Sequence, residues 1–189
     1  MSFKDNVNVS DMSDVTVTRG AGHSEMTSIA GYYEVECHDK DGNLKWKDEI
    51  HNLVTTTGKN KTMDVILGNT AAGAVIMGLK GTGSAAVGDV QGTHAGWSEV
   101  GLANLPTYTA PRKSPAFSAA SAGSKATSAA SVFSMTGSGT VAGCFINIGG
   151  STTIDDTTGT LFSAGDFSGG SKTVTSGDTL SVSYTATAA

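Results

Sequence analysis

Apolar and charged residues alternate strictly on both flanks of one turn signal, and this feature constrains the chain most. In "YYEVECH", Tyr33, Val35 and Cys37 are apolar while Glu34 and Glu36 between them are charged. In "NLKWKDEI", Leu44, Trp46 and Ile50 are apolar while Lys45 and Lys47 are charged. A period of two puts successive side chains on opposite faces of an extended chain, so each run reads as a half-buried strand. Asp41-Gly42 between them favours a two-residue type I′ turn. That turn sets Cys37 opposite Trp46, Tyr33 opposite Ile50 and Glu36 opposite Lys47. A three-residue loop would shift the register by one and set Cys37 against Lys45, so the alternation prefers the tight turn. Asp39 and Asp41 beside a glycine also invite a calcium reading. An EF-hand loop, however, needs oxygen ligands at its first, third and fifth positions, and counting back from Gly42 the first is Cys37. Turn chemistry accounts for the motif.

Beyond the hairpin, "TTTGKNKTMDVILGN" predicts one short helix with Met63, Ile66 and Leu67 on one face and Gly68 at its end. Residues 74–80 read as a buried strand, residues 81–96 as a glycine-rich loop, and "WSEV" follows. Pro106, Pro111 and Pro115 confine residues 104–123 to sheet edges or extended coil. "SAASVFSMT", "TVAGCFINIG" and "TLSVSYTATA" are three further strands. The second is apolar on both faces, Val141 and Phe145 against Cys144, Ile146 and Ile148, and is therefore expected to be central. Residues 149–178 read mostly as loop. With 189 residues, 25 of them glycine, the chain fits one all-β domain. The expected architecture is a β-sandwich, jelly-roll connectivity being one form of it, over residues 31–189. Residues 1–30 are dominated by Asp, Asn, Ser and Thr, and bury too little to order alone. They are expected to form an extended N-terminal arm laid across a partner. Aromatics at 6% imply a thin core whose stability is shared between copies, hence a homo-oligomer.

Several function classes drop out. The net charge is -5 and the 12 basic residues are scattered, so no nucleic-acid or anionic-membrane partner is expected. No run approaches the ~20 apolar residues of a membrane span, and "MSFKDNVNVSDMSD" lacks the apolar stretch of a signal peptide, so use without export is expected. Cys37 and Cys144 are expected to be reduced and buried. His23, His38, His51 and His94 lack zinc spacing, with His38 and His51 expected on the surface. "GLKGTGSAAVGD" lacks the Gly-Lys-Ser/Thr ending of a phosphate loop. Asp155, Asp156 and Asp166 sit in small-residue loops with no aromatic platform for a sugar. No nucleophile elbow is present, and Cys37, Trp46 and Cys144 are too widely spaced for an immunoglobulin core. No catalytic, cofactor-binding or metal-binding residue is assigned; the chain reads as non-enzymatic.

The hairpin "YYEVECHDKDGNLKWKDEIHNLV", then "GLKGTG", "THAGWSEV" and the ending "SGDTLSVSYTATAA" resemble, in this order and from about Gly31 to Ala189, a family of small tailed-bacteriophage virion proteins. The resemblance implies a structural protein encoded near the major capsid protein: a decoration or cement protein on the outside of the phage head, made in the host bacterial cytoplasm. Its expected partners are the major capsid protein and further copies of itself. A tail tube or fibre component is the alternative, and a receptor- or carbohydrate-binding module another, for which Trp97 would be the stacking residue.

Overall fold

The computed structural model describes residues 28–68, 70–93 and 97–188. The expected arm lies outside the described residues as far as residue 27, and its last residues, Ile29 and Ala30, already belong to a strand. In chain order the elements are β1 (Ile29–His38), β2 (Leu44–His51), β3 (Leu53–Val54), α1 (Thr56–Ile66), β4 (Val75–Gly83), β5 (Trp97–Glu99) and β6 (Ser124–Ala126). Then come β7 (Ser131–Ser134), β8 (Gly139–Val141), β9 (Gly143–Ile148), β10 (Thr160–Asp166), β11 (Lys172–Val174) and β12 (Thr179–Ala188). The fold is all-β with one short helix among the described residues.

One antiparallel sheet runs β2-β1-β12, and the far side of β12 pairs with β7 along its first half and β6 along its second. The other runs β3-β10-β9-β4-β5, and β8 and β11 pair separately. Alternation decides which side chains go inward. Tyr33, Val35 and Cys37 of β1, with Leu180, Val182 and Tyr184 of β12, share one core cluster with Met77, Leu79, Cys144 and Ile146 of the second sheet. The outward positions Glu34, Glu36, Ser181 and Ser183 leave a polar face. β9 lies between β10 and β4, as its two apolar faces require. Its Phe145 points away from the main core into a second cluster with Trp97, Leu161 and Ala164. The Phe145 ring lies over Gly78 on the neighbouring strand, where an added Cβ would sit 2.3 Å from it.

The hairpin has the expected register but a different turn. Cys37 faces Trp46, Tyr33 faces Ile50 and Glu36 faces Lys47, yet His38 faces Leu44. The loop is the three-residue kind: Gly42 N–H donates to Asp39 O at 3.0 Å, and Gly42 has φ +83°. Asp39 Oδ1 also accepts the N–H groups of Asp41 (2.9 Å) and Asn43 (2.8 Å), which favours this turn over the tight one. A bulge at Lys45, the extra residue between Leu44 and Trp46, restores the register.

Two other expectations are refined. Residues 149–178 are mostly loop, as expected, but the strands β10 and β11 interrupt them. β10, "TLFSAGD", is inserted between β3 and β9, and Ser163, Ala164 and Gly165 are buried there; small residues fit that position but blur the apolar pattern. Residues 81–83 continue β4 instead of opening the loop.

α1 is attached through its first turn. Thr55 caps it, its Oγ1 accepting Gly58 N–H at 3.0 Å and donating to Leu161 O. Gly58 is the one buried helix residue and lies directly on β10, where an added Cβ would be 2.3 Å from Phe162 O. Gly-to-Ala in a helix ordinarily stabilises by about 1 kcal/mol; here the sign should reverse. Gly58→Ala is expected to lower the melting temperature, measured by circular dichroism, and an unchanged or raised value would refute this close approach.

Candidate interaction surface

Two ionic clusters are the first places to look for chemistry; the first is fully buried and the second is open to solvent at Lys45. Arg112 and Glu99 are each about 1% exposed and pair in a bidentate fork, Nε to Oε1 at 2.7 Å and Nη2 to Oε2 at 2.5 Å. The guanidinium also donates to Ser151 O and Asp156 O, and Glu99 Oε2 accepts Asp155 N–H. Burial raises the Glu99 carboxyl above its usual range, and Arg112 opposes that rise. A raised carboxyl suits a general acid only where a substrate can reach it. Here the oxygens are occupied and buried, so the pair acts as a clamp holding the proline-rich segment and the 151–156 loop onto β5. Tyr108 packs edge-on against Phe133 above it, and its buried hydroxyl meets no partner among the described residues.

The second cluster follows from the bulge, which re-aims Lys45. Its Nζ reaches Asp178 Oδ2 at 2.5 Å and Thr175 Oγ1 at 3.1 Å. Asp178 also accepts Thr175 N–H at 2.8 Å and the Cys37 thiol at 3.8 Å. Burial would raise the Asp178 carboxyl, but the Lys45 and Thr175 hydrogen bonds prevail and hold it below its ordinary value. Burial, then the Asp178 charge, push the Cys37 thiol up to about 11, and burial raises Cys144 further still. Both cysteines are free and buried, as expected.

The remaining candidate residues do not converge. Asp155 Oδ2 accepts Ala103 N–H and Asp156 Oδ1 accepts Thr158 N–H, while Asp166 meets Lys80 at 2.5 Å. Among the described residues no three His, Cys, Asp or Glu side chains gather so as to hold a metal ion, and no helix is long and apolar enough to cross a membrane. His23 and His94 lie outside the described residues. His51 is exposed and His38 half-buried. Trp97 is no exposed platform for a sugar: it is 5% exposed, with its ring centroid 5.2 Å from that of Phe145.

The surface is more informative. The expected face of α1 exists but points to solvent, with Met63 55%, Ile66 69% and Leu67 75% exposed. Beside it an apolar groove opens where the two sheets part, lined by Val75, Phe117, Ile148, Phe162, Tyr184 and Ala186, with Lys125 on its rim. Val75 and Ile148 also line a second hollow, which continues under α1 past Val65 and Ala72 to Lys61. Contiguous exposed apolar surface of this kind marks protein–protein or membrane interaction sites or ligand-binding grooves. Helical periodicity could reveal the α1 face; the groove joins residues from six separate segments, and no local pattern announces it.

Comparison of the chain with family models, curated proteins and solved structures returned no match.

Two outcomes test the clusters. Arg112→Met should cost about 3–5 kcal/mol by leaving Glu99 buried without its partner; denaturant unfolding that gives under 1 kcal/mol would contradict the clamp. Because the folded Asp178 carboxyl lies below its ordinary value, its contribution is full above about pH 4 and is lost as pH falls through the folded value. Asp178→Asn should therefore melt lower than the native protein at pH 7, with the gap closing in acid. A gap that widens in acid would reverse this assignment.

Proposed function

We propose that this chain is a non-enzymatic bacteriophage virion structural protein that decorates the capsid exterior and stabilises the head by bridging capsid subunits. The observation that carries the reading is the paired apolar surface, the α1 face and the groove, which a lone protomer leaves in water. Its natural covers are the major capsid protein and neighbouring copies. The resemblance of the motif order to small tailed-phage virion proteins supports the same reading, and the net charge of -5 suits the outside of a head better than its DNA-filled interior. α1 is built for contact: it is anchored at Gly58 and leaves its last turn projecting. A tail tube or fibre component would use the same surfaces, and copy number per particle separates the two, hundreds for the shell against tens for the tail.

The triple variant Met63→Asp, Ile66→Asp, Leu67→Asp should unfold within about 0.5 kcal/mol per site of the native protein, since these side chains are exposed. It should fail to occupy purified heads in a binding assay read by electron microscopy. Full occupancy by the variant would overturn the α1 contact, and absence of the native protein from the heads would overturn the decoration role.

A further inference from the structure

The groove has the start of the described chain at its lip. β1 begins at Ile29 opposite Ala188, and two residues on Gly31 stands opposite Ala186, which lines the groove. Lysines line the groove and the hollow that adjoins it: Lys125 in the groove donates to Ser118, Lys61 in the hollow donates to Thr70 and Ala71, and neither meets a carboxylate among the described residues. A fitting occupant would present apolar side chains at every second position with acids close by. Two stretches of residues 1–27 have that character: in "DNVNVSD", residues 5–11, Val7 and Val9 alternate with Asn6 and Asn8 between Asp5 and Asp11, and in "DMSDVTVT", residues 11–18, Val15 and Val17 alternate with Thr16 and Thr18 behind Asp11 and Asp14. The second lies nearer β1 in sequence and has β-branched threonines where the first has asparagines, so it is the better strand former.

We propose that the groove is the seat of residues 11–18 from a second copy of this chain, laid in extended form with Val15 and Val17 against Phe162 and Val75 and the two aspartates toward Lys61 and Lys125. Extended-segment addition of this kind takes its specificity from alternate side chains. The connection has the right length. Residues 19–28 are ten residues, about 33 Å at 3.3 Å each, enough to cross to a neighbour when the radius of gyration is about 15 Å for a domain of this size. The choice of a second copy rests on the homo-oligomeric part of the reading above, but the test needs no capsid.

Two full-length variants, Val15→Cys and Ala186→Cys, are purified separately, mixed at high concentration and treated with a short bismaleimide. Cys37 and Cys144 are buried and stay silent. The expected result is a crosslinked dimer formed only in the mixture. Its yield should fall at least fivefold when Lys61→Glu and Lys125→Glu are added to the groove partner, and return when Asp11→Lys and Asp14→Lys are added to the arm partner. No dimer in the mixture, or a Val15→Cys/Ala186→Cys double variant that crosslinks only within single chains, would overturn the proposal. Dimers from a protein that never binds heads would leave this inference standing and remove the decoration role; head occupancy without dimers would do the reverse.

Discussion

The pairing of β1 with β12 is the constraint on which the rest depends. It joins the first described strand to the last over ten residues, from Ile29 opposite Ala188 to His38 opposite Thr179. Closing so long a loop is entropically expensive, and the ladder's inward side chains offset that cost by filling the middle of the core. Tyr33 and Tyr184 face each other with ring centroids 4.7 Å apart. Their hydroxyls tie the ladder to its surroundings, Tyr33 to Ser163 Oγ at 2.7 Å on the opposite sheet and Tyr184 accepting from Asn52 at 2.8 Å. With this ladder in place, β2 follows by its hairpin, and β6 and β7 add to the other side of β12. The groove opens at the end where the ladder starts.

Strands that are polar on one side were readable in the sequence, because alternation is a direct record of burial. β1 and β12 follow it closely and β2 does so from Trp46 onward, with Leu44 exposed instead, and β9 betrayed its central place by carrying apolar residues on both faces. β10 escaped notice because Ser163, Ala164 and Gly165 are chosen for close packing between β3 and β9, and small residues carry little hydrophobic signal. The hairpin shows a different limit. Its register was legible from Tyr33, Cys37, Trp46 and Ile50, but the loop that produces it was not, because a three-residue turn and the bulge at Lys45 cancel. For the surface the outcome is mixed. Met63, Ile66 and Leu67 were visible as one helical face without any indication that it points outward, and the groove is a product of topology alone.

The distribution of polarity separates what holds the protomer together from what it offers to others. Each buried charge of the described residues has a partner: Arg112 pairs with Glu99, Lys80 with the more exposed Asp166, Asp178 with the exposed Lys45, and Asp89 accepts Ala86 N–H. The ion pairs fix loops or edges to the sheets. The uncommitted surface is apolar along α1 and in the groove, and polar with small hydroxyls over the outer face of β1 and β12. Under the proposed structural role, partner chains cover this apolar surface.

Hydroxyl-radical footprinting read by mass spectrometry tests that claim most directly, with Met63 on α1 and Phe162 in the groove as reporters. The account predicts that both oxidise readily in the free protein at low concentration and become protected in purified particles. Equal oxidation of both residues in the two states would contradict it.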